Sequence, residues 1–137
     1  MKLLTKHTDY AVRALAYLAM RPGKVVPSRE IAAQEQIPLQ FTRRILQVLT
    51  DYGFVDAREG VAGGICLKKP AGHIRILDIM TLFQGDFNFS ECMFRNRPCK
   101  NRATCPLRGW VKRIESMVLR EFRRLTLADL IPGRRAH

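Results

Sequence analysis

The stretch that decides the fold is SREIAAQEQIPLQFTRRILQVLTDYG, residues 28–53. Ser28 is typical of a helix N-cap, and the apolar run at 31–33 predicts a short helix. After a turn, Pro38 suits the first turn of a longer helix, which is expected to end at Gly53. A short helix, a tight turn and a longer helix together predict a helix-turn-helix.

The longer helix has two faces of different chemistry. Its apolar face is predicted to pack inside and comprises Phe41, Ile45, Val48, Leu49 and Tyr52. Polar side chains follow the other side at helical spacing, and arginine and glutamine suit paired hydrogen bonds to guanine and adenine edges in the major groove. A solvated face without a partner is the alternative. We interpret it as a DNA-binding face formed by Gln40, Thr42, Arg43, Arg44 and Gln47.

The charge of the chain supports a polyanionic partner. Its net charge is +12 and its pI is near 10.3, which favours double-stranded DNA. A membrane surface is disfavoured because no segment joins a large apolar face to a lysine-rich one. No apolar run could span a bilayer and no signal peptide develops, so we expect a cytoplasmic protein with reduced thiols. The absence of a nucleophile–base pair, a phosphate loop and a paired-carboxylate motif argues against an enzyme.

A glycine-rich hairpin is predicted directly after the helix-turn-helix. Residues 54–58 and 65–68 have the composition of strands, and residues 59–64 form the turn between them. A hairpin in this place is the wing of a winged helix, where Arg58 and Lys68 would approach phosphates. Cys66 lies among apolar residues of the second strand and is expected to be a packing residue.

Three further helices complete the predicted fold, at residues 8–20, 76–83 and from about 107 to 125. The last has a nearly heptad apolar rhythm, which predicts pairing with its copy in a homodimer; an ordinary core helix is the alternative. Its apolar residues are Leu107, Val111, Ile114, Val118 and Leu125. The fold class is therefore mainly α with a small β-wing. We predict a winged helix-turn-helix region at 1–73, followed at 74–137 by a connector helix, a cysteine loop (90–106) and the dimerisation helix with a short tail.

The cysteine loop holds three of the four cysteines, Cys92, Cys99 and Cys105, with the spacing C-x6-C-x5-C. It is polar and lacks the period of a helix or a strand. Thiolates hold iron–sulfur clusters, and one ligand can be another residue type. A structural zinc site is disfavoured because it usually takes four ligands in two close pairs. A disulfide with one free thiol, or three unrelated cysteines, remain alternatives.

The sequence resembles the IscR/NsrR-type family of winged-helix iron–sulfur transcriptional regulators over nearly its whole length. The matching segments are LT at 4–5, TDYAVRAL at 8–15, GGICLKKPA at 63–71, the three loop cysteines, and TLADL at 126–130. The resemblance implies a homodimer that grips DNA with paired winged helices. It also implies that each cysteine loop holds a cluster near the first helix of the partner subunit.

Within this family the fourth cluster ligand separates the members. The IscR type uses a histidine shortly after the third cysteine, where this chain has Arg108. The nitric-oxide-sensing type uses an aspartate in a Thr-Asp pair of the first helix, and Asp9 stands at that place; compensation of the helix dipole is its alternative role. The resemblance thus implies a repressor that senses nitric oxide through a cluster, 4Fe-4S rather than 2Fe-2S, held by Cys92, Cys99, Cys105 and Asp9. The alternatives are a regulator of iron or cluster supply and a cluster-free, thiol-redox-sensing DNA binder.

Overall fold

The structure, a computed structural model, describes residues 2–89, 93–94 and 97–133. Cys92 and the tail at 134–137 lie outside the described residues. The helices are α1 (Lys6–Ala19), α2 (Ser28–Glu35), α3 (Leu39–Asp51), α4 (Ile76–Gln84) and α5 (Pro106–Arg124). The strands form two antiparallel pairs, β1 (Val55–Arg58) with β2 (Gly64–Leu67), and β3 (Met93–Phe94) with β4 (Arg97–Pro98). Short 3-10 turns occupy Ala71–His73 and Leu127–Leu130.

Helix α1 lies at the centre of a single hydrophobic core. Ala11, Leu15 and Leu18 are fully buried, and α1 contacts α2, α3, α4, β2 and the turn at 127–130. The core crosses the predicted boundary at residue 73, because Ile79 and Leu127 belong to the same cluster. The helical winged architecture predicted from the sequence is thus confirmed, and α4 packs against α1.

The start of α1 is fastened by a polar cluster that the apolar pattern did not predict. The predicted start was Thr8, but the helix begins two residues earlier, and the Thr5 hydroxyl accepts from the Thr8 N–H at 3.3 Å. Thr8 is fully buried, and its hydroxyl donates to Oε1 of Gln84 at 2.8 Å. The same oxygen accepts from the Thr5 N–H at 3.1 Å. The last residue of α4 therefore holds the first turn of α1.

The wing is attached through backbone contacts. Its register runs from Val55 opposite Leu67 to Arg58 opposite Gly64. The segment before α2 lies beside it, and Val26 exchanges two backbone hydrogen bonds of 2.8 Å with Ile65. This approach is so close that a Cβ on Gly64 would lie 2.5 Å from the Val26 carbonyl oxygen.

The segment after α5 forms backbone hydrogen bonds with the residues at the start of α4. The Ile76 N–H donates to the Leu125 carbonyl at 3.0 Å, and the Leu127 N–H donates to the Ile74 carbonyl at 2.8 Å. Thr126 caps the final turn, since its N–H and its hydroxyl each donate to Oδ2 of Asp129 at 2.9 Å.

Helix α5 packs only shallowly on its own protomer, and its one buried residue is Glu115. The exposed apolar side chains form a stripe that we call the α5 stripe: Leu107 (70% exposed), Trp110 (59%), Ile114 (49%) and Met117 (52%). One residue of the predicted dimer seam does not belong to this stripe, because Leu125 packs against the core. In the part of the chain that the structure describes, no helix has the length and apolar character to cross a bilayer.

We predict that Gly64→Ala destabilises the fold by about 2 kcal/mol or more, because a Cβ at 2.5 Å from a backbone oxygen forces the wing away from Val26. Chemical denaturation measures the change. The matched control is Gly72→Ala, where nothing lies within 4 Å of the added Cβ. Equal stability of the two variants would contradict the close packing of wing and core.

Candidate nucleic-acid interface and cysteine loop

The exposed face of α3 carries the polar side chains that the sequence assigned to it. Ile45, Leu46 and Leu49 are buried and anchor the helix in the core. Tyr52, predicted on the apolar face, is largely exposed, whereas Leu46 was not predicted to be buried. The solvent-facing set comprises Gln40, Arg43, Arg44 and Gln47.

Thr42 departs from the predicted DNA-binding face. It is buried, and its hydroxyl donates to the Pro38 carbonyl at 3.1 Å. Position 42 stands three residues before Ile45, so both lie on the same side of the helix. Including Thr42 among base-contacting residues was therefore wrong, because its side chain packs inside the domain.

The polar side chains of α3 differ in their partners. Nε2 of Gln47 donates to Oδ1 of Asp51 at 2.9 Å, and the Arg44 guanidinium lies 6.0 Å from the centre of the Phe41 ring. Among residues 2–89, 93–94 and 97–133, neither Arg43 nor Arg44 forms an ion pair with a carboxylate. Both guanidinium groups can therefore meet an external anion or a base edge.

The turn between α2 and α3 sets the angle of the helix-turn-helix. Gln36 adopts the left-handed conformation with φ 54° and ψ 46°, a conformation that costs a non-glycine residue about 1 kcal/mol. The next residue, Ile37, is buried, and its N–H donates to the Ala32 carbonyl at 2.9 Å. Burial of Ile37 holds the predicted turn in place despite this cost.

The wing presents the two predicted basic residues on its surface. Arg58 is exposed at the end of β1, and Lys68 is exposed just after β2. Nζ of Lys68 lies 3.9 Å from Oδ1 of Asp56. An exposed pair of this kind contributes little to stability, so Lys68 can exchange Asp56 for a phosphate.

Asp9 lies on the surface of the first turn of α1. Its Oδ2 is 3.5 Å from a guanidinium nitrogen of Arg13, and half of its side chain is exposed. Nε of Arg13 also contacts Oε2 of Glu35, at the end of α2, at 3.4 Å, and its Nη2 donates to the Glu35 carbonyl. Arg13 thus connects Asp9 to the helix-turn-helix. Both roles considered for Asp9, dipole compensation and metal ligation, are compatible with this position.

The described part of the cysteine loop contains a short strand pair. The sequence predicts neither helix nor strand there, but β3 and β4 pair in antiparallel fashion, Met93 with Pro98 and Phe94 with Arg97. Cys99 and Cys105 are free and half-buried, and Cys105 is the N-cap of α5. Cys66 is buried in the wing, as predicted. Cys92, the first predicted ligand, lies outside the described residues.

The described candidate ligands do not converge within one protomer. Among the residues whose placement the structure gives, no three side chains of His, Cys, Asp or Glu gather at one point. Cys99, Cys105 and Asp9 of one chain therefore form no closed metal site.

Glu115 is a residue of the loop region that the sequence did not indicate. It is only 7% exposed, and its Oε2 accepts from the Phe89 N–H at 3.0 Å. Nζ of Lys112 donates to Oε1 at 3.0 Å. The Phe89 N–H, assisted by Lys112, holds the pKa of Glu115 below its usual value, although burial acts in the opposite direction. This carboxylate ties the segment that enters the cysteine loop to the helix that leaves it.

A helix-turn-helix with an exposed Gln/Arg face, followed by a basic wing, defines a winged-helix DNA-binding regulator. The profile of the Rrf2 family, described as iron-dependent transcriptional regulators, matches residues 4–133. The chain belongs to the Rrf2 family. It is therefore a transcriptional regulator and not an enzyme, and the family resemblance inferred from the sequence is confirmed.

The relatives agree with this assignment. The chain is 31% identical over 132 residues to "Protein aau3" of Rhizobium meliloti (strain 1021), covering 96% of this chain and 86% of that protein. It is 29% identical over 133 residues to the HTH-type transcriptional regulator NsrR of Bacillus subtilis (strain 168), covering 96% and 91%. Its fold matches the global cysteine regulator CymR of B. subtilis with a TM-score of 0.76 at 22% identity, covering 95% and 96%.

We predict that Glu115→Gln lowers the free energy of unfolding at neutral pH by about 1 kcal/mol, because the charge that strengthens both hydrogen bonds is lost. Since folding lowers the pKa of Glu115, the carboxylate stabilises the fold above its usual pKa of 4.5, and this contribution disappears as the pH falls through the folded value. The difference between wild type and variant should shrink in urea titrations below pH 4.5.

The matched control is Glu121→Gln on the same helix, where an exposed carboxylate lies 3.9 Å from Arg124. We expect little change there at any pH. A pH-independent loss of stability in the Glu115 variant would contradict the charged role.

Proposed function

We propose that this protein is a homodimeric repressor that carries an iron–sulfur cluster, 4Fe-4S rather than 2Fe-2S, and leaves its operator when nitric oxide reaches the cluster. The observation that carries the proposal is the pairing of a basic winged helix with a loop whose described thiols, Cys99 and Cys105, are free. The similarity to NsrR of B. subtilis over most of both chains supports the choice of signal.

DNA binding would centre on α3. Its exposed face offers two guanidinium groups and two carboxamides, which are the donors suited to base edges in the major groove. Arg58 and Lys68 of the wing would contact phosphates on the flank. In a dimer the two α3 helices would read half-sites one helical turn apart, about 34 Å.

Dimerisation would bury the α5 stripe. Its residues, Leu107, Trp110, Ile114 and Met117, follow a 3-4-3 spacing, which is the spacing of a helix–helix seam. A second copy offers the same stripe, so a two-fold interface pairs apolar surface with apolar surface. This occupant also accounts for a helix whose only buried residue in its own protomer is a glutamate.

The described residues fit an anionic cluster. Thiolates and one carboxylate are suitable iron ligands, so Cys92, Cys99 and Cys105 of one chain and Asp9 of the partner would supply four. Arg108 follows Cys105 by one helical turn, and its Nε is buried without a hydrogen-bond partner among the described residues. An unpartnered cationic donor three residues after Cys105 favours an anionic group nearby. When bound, the cluster would supply irons that react with nitric oxide.

The switch would act through Asp9. Ligation of the partner's cluster would weaken the ion pair that Asp9 forms with Arg13 at 3.5 Å in the protomer. Loss of the ligand lets Asp9 return to Arg13, which also holds Glu35 at the end of α2. The exposed ion pair alone contributes less than about 1 kcal/mol. The larger effect is therefore on the angle between the two winged helices, and a differential of a few kcal/mol there is enough to release an operator.

For DNA recognition, we predict that Arg43→Ala or Arg44→Ala relaxes sequence preference and costs about 1–3 kcal/mol on a selected operator, because a bidentate base contact is lost. Lys68→Ala should instead weaken all duplexes similarly and lower the salt dependence of binding. Fluorescence anisotropy on operator variants, with duplexes obtained by in vitro selection, makes the comparison. Uniform losses in the arginine variants would reassign these residues to phosphate contacts.

For sensing, we predict that anaerobically purified protein is brown, binds its operator tightly, and releases it on nitric oxide treatment. Cys99→Ser or Cys105→Ser should lose the cluster and with it the response, because each removes a ligand. Asp9→Ala should retain a labile cluster. The matched control, Cys66→Ser, should behave as wild type because this thiol lies in the wing. Visible spectra and gel shifts of cluster-loaded, nitric-oxide-treated and cluster-free protein measure these outcomes.

Three other outcomes would each redirect the proposal. Colourless protein with intact thiols would indicate a thiol-redox-sensing DNA binder. Release on iron depletion with indifference to nitric oxide would indicate a regulator of iron or cluster supply. Equal affinity of all three forms would contradict sensing through a cluster.

A further inference from the structure

A group of aromatic rings joins the first turn of α1 to the first turn of α3. The His7 ring lies 5.8 Å from the Phe41 ring, and the Tyr10 ring lies 6.3 Å from it, centre to centre. His7 and Tyr10 belong to α1, whereas Phe41 is the third residue of α3. The contacts between these rings place the start of α1 beside the solvent-exposed face of α3.

Positive charge surrounds these rings. Nζ of Lys6 lies 5.6 Å from the Tyr10 ring centre, and the Arg44 guanidinium lies 6.0 Å from that of Phe41. Lys6 and Arg44 are exposed, and within the described ranges neither is paired with a carboxylate. The nearest acid in sequence, Asp9, is engaged by Arg13. The exposed basic surface of α3 therefore continues onto α1.

We infer that Lys6 and His7 of α1 bind the DNA phosphate backbone beside the groove that α3 occupies, an inference that rests on DNA binding by α3 as proposed above. Phosphates line both edges of a major groove, so a helix lying in it brings neighbouring side chains to the backbone. Stacking on Tyr10 holds the Lys6 ammonium next to α3. An imidazole N–H of His7 can donate to a phosphate oxygen of the same strand.

The helix dipole of α1 does not favour a positive charge at the position of Lys6. It is the first helical residue, where a positive charge opposes the helix dipole. The contact is assigned to the side chains, because backbone N–H groups of this turn have partners: Thr8 donates to the Thr5 hydroxyl, and Asp9 donates to the Thr5 carbonyl. A DNA phosphate would stabilise the Lys6 ammonium, whose charge the helix dipole disfavours.

The first test compares Lys6→Ala with Lys24→Ala in the full-length chain. Lys24 is also exposed but lies beyond the other end of α1, a 14-residue helix of about 20 Å. For Lys6→Ala we expect the slope of log affinity against log salt to fall in magnitude by about 0.9, the value for one phosphate contact, on selected and unrelated duplexes alike. Lys24→Ala should keep the wild-type slope. An unchanged slope in Lys6→Ala would overturn the inference.

The second test locates the phosphate. Single neutral methylphosphonates are scanned along the flanks of each selected half-site, and wild type is compared with Lys6→Ala. At one or two positions the substitution should weaken wild type but not the variant, because both changes remove the same contact. Additive losses at every position would overturn the inference while leaving DNA recognition by α3 intact. Failure of wild type to bind any duplex selectively would overturn the proposed function and this inference together.

Discussion

Burial of α1 is the constraint on which the rest of the structure depends. Ala11, Leu15 and Leu18 on its apolar side are buried, and the helix contacts α2, α3, α4, β2 and the turn at 127–130. The hydrogen bond from Thr8 to Gln84 fastens the start of the helix to α4. Every functional group that α1 carries is therefore placed with respect to α3, and motion of α1 would be shared by the whole domain.

The fold was predictable in the segments where buried residues recur at the regular spacing of a helix or a strand. Residues 28–53 predicted the helix-turn-helix and the wing followed from glycines and alternating strands, because both signals repeat along the chain. Single polar contacts carry no such signal. Thr42 was assigned to the DNA face and is buried, while the roles of Thr8 and Glu115 depend on partners that are distant in sequence. The same limit applies to the predicted α5 seam, because the heptad pattern included Leu125, which packs against the core.

The polar face of α3 and the cysteine loop were not equally predictable from the sequence. The polar face of α3 could be derived from sequence because one helix supplies all of its members. The cysteine loop could be recognised by its thiols, but not its hairpin, since the two strands have two residues each and no period. Ligation could not be derived from one protomer, because no three candidate ligands gather at one point among its described residues.

The backbone pairing of Val26 with Ile65 has a consequence for how new operators can arise. Because the hairpin is joined to the domain by main-chain hydrogen bonds and a glycine, its orientation does not depend on the side chains at its tip. Glu59, Val61 and Ala62 are exposed, so they can be replaced without disturbing the core. Relatives of this regulator could therefore differ in the residues of the hairpin tip that contact DNA, while the backbone pairing at its base stays the same. Changes in DNA specificity would then not change the stability of the fold.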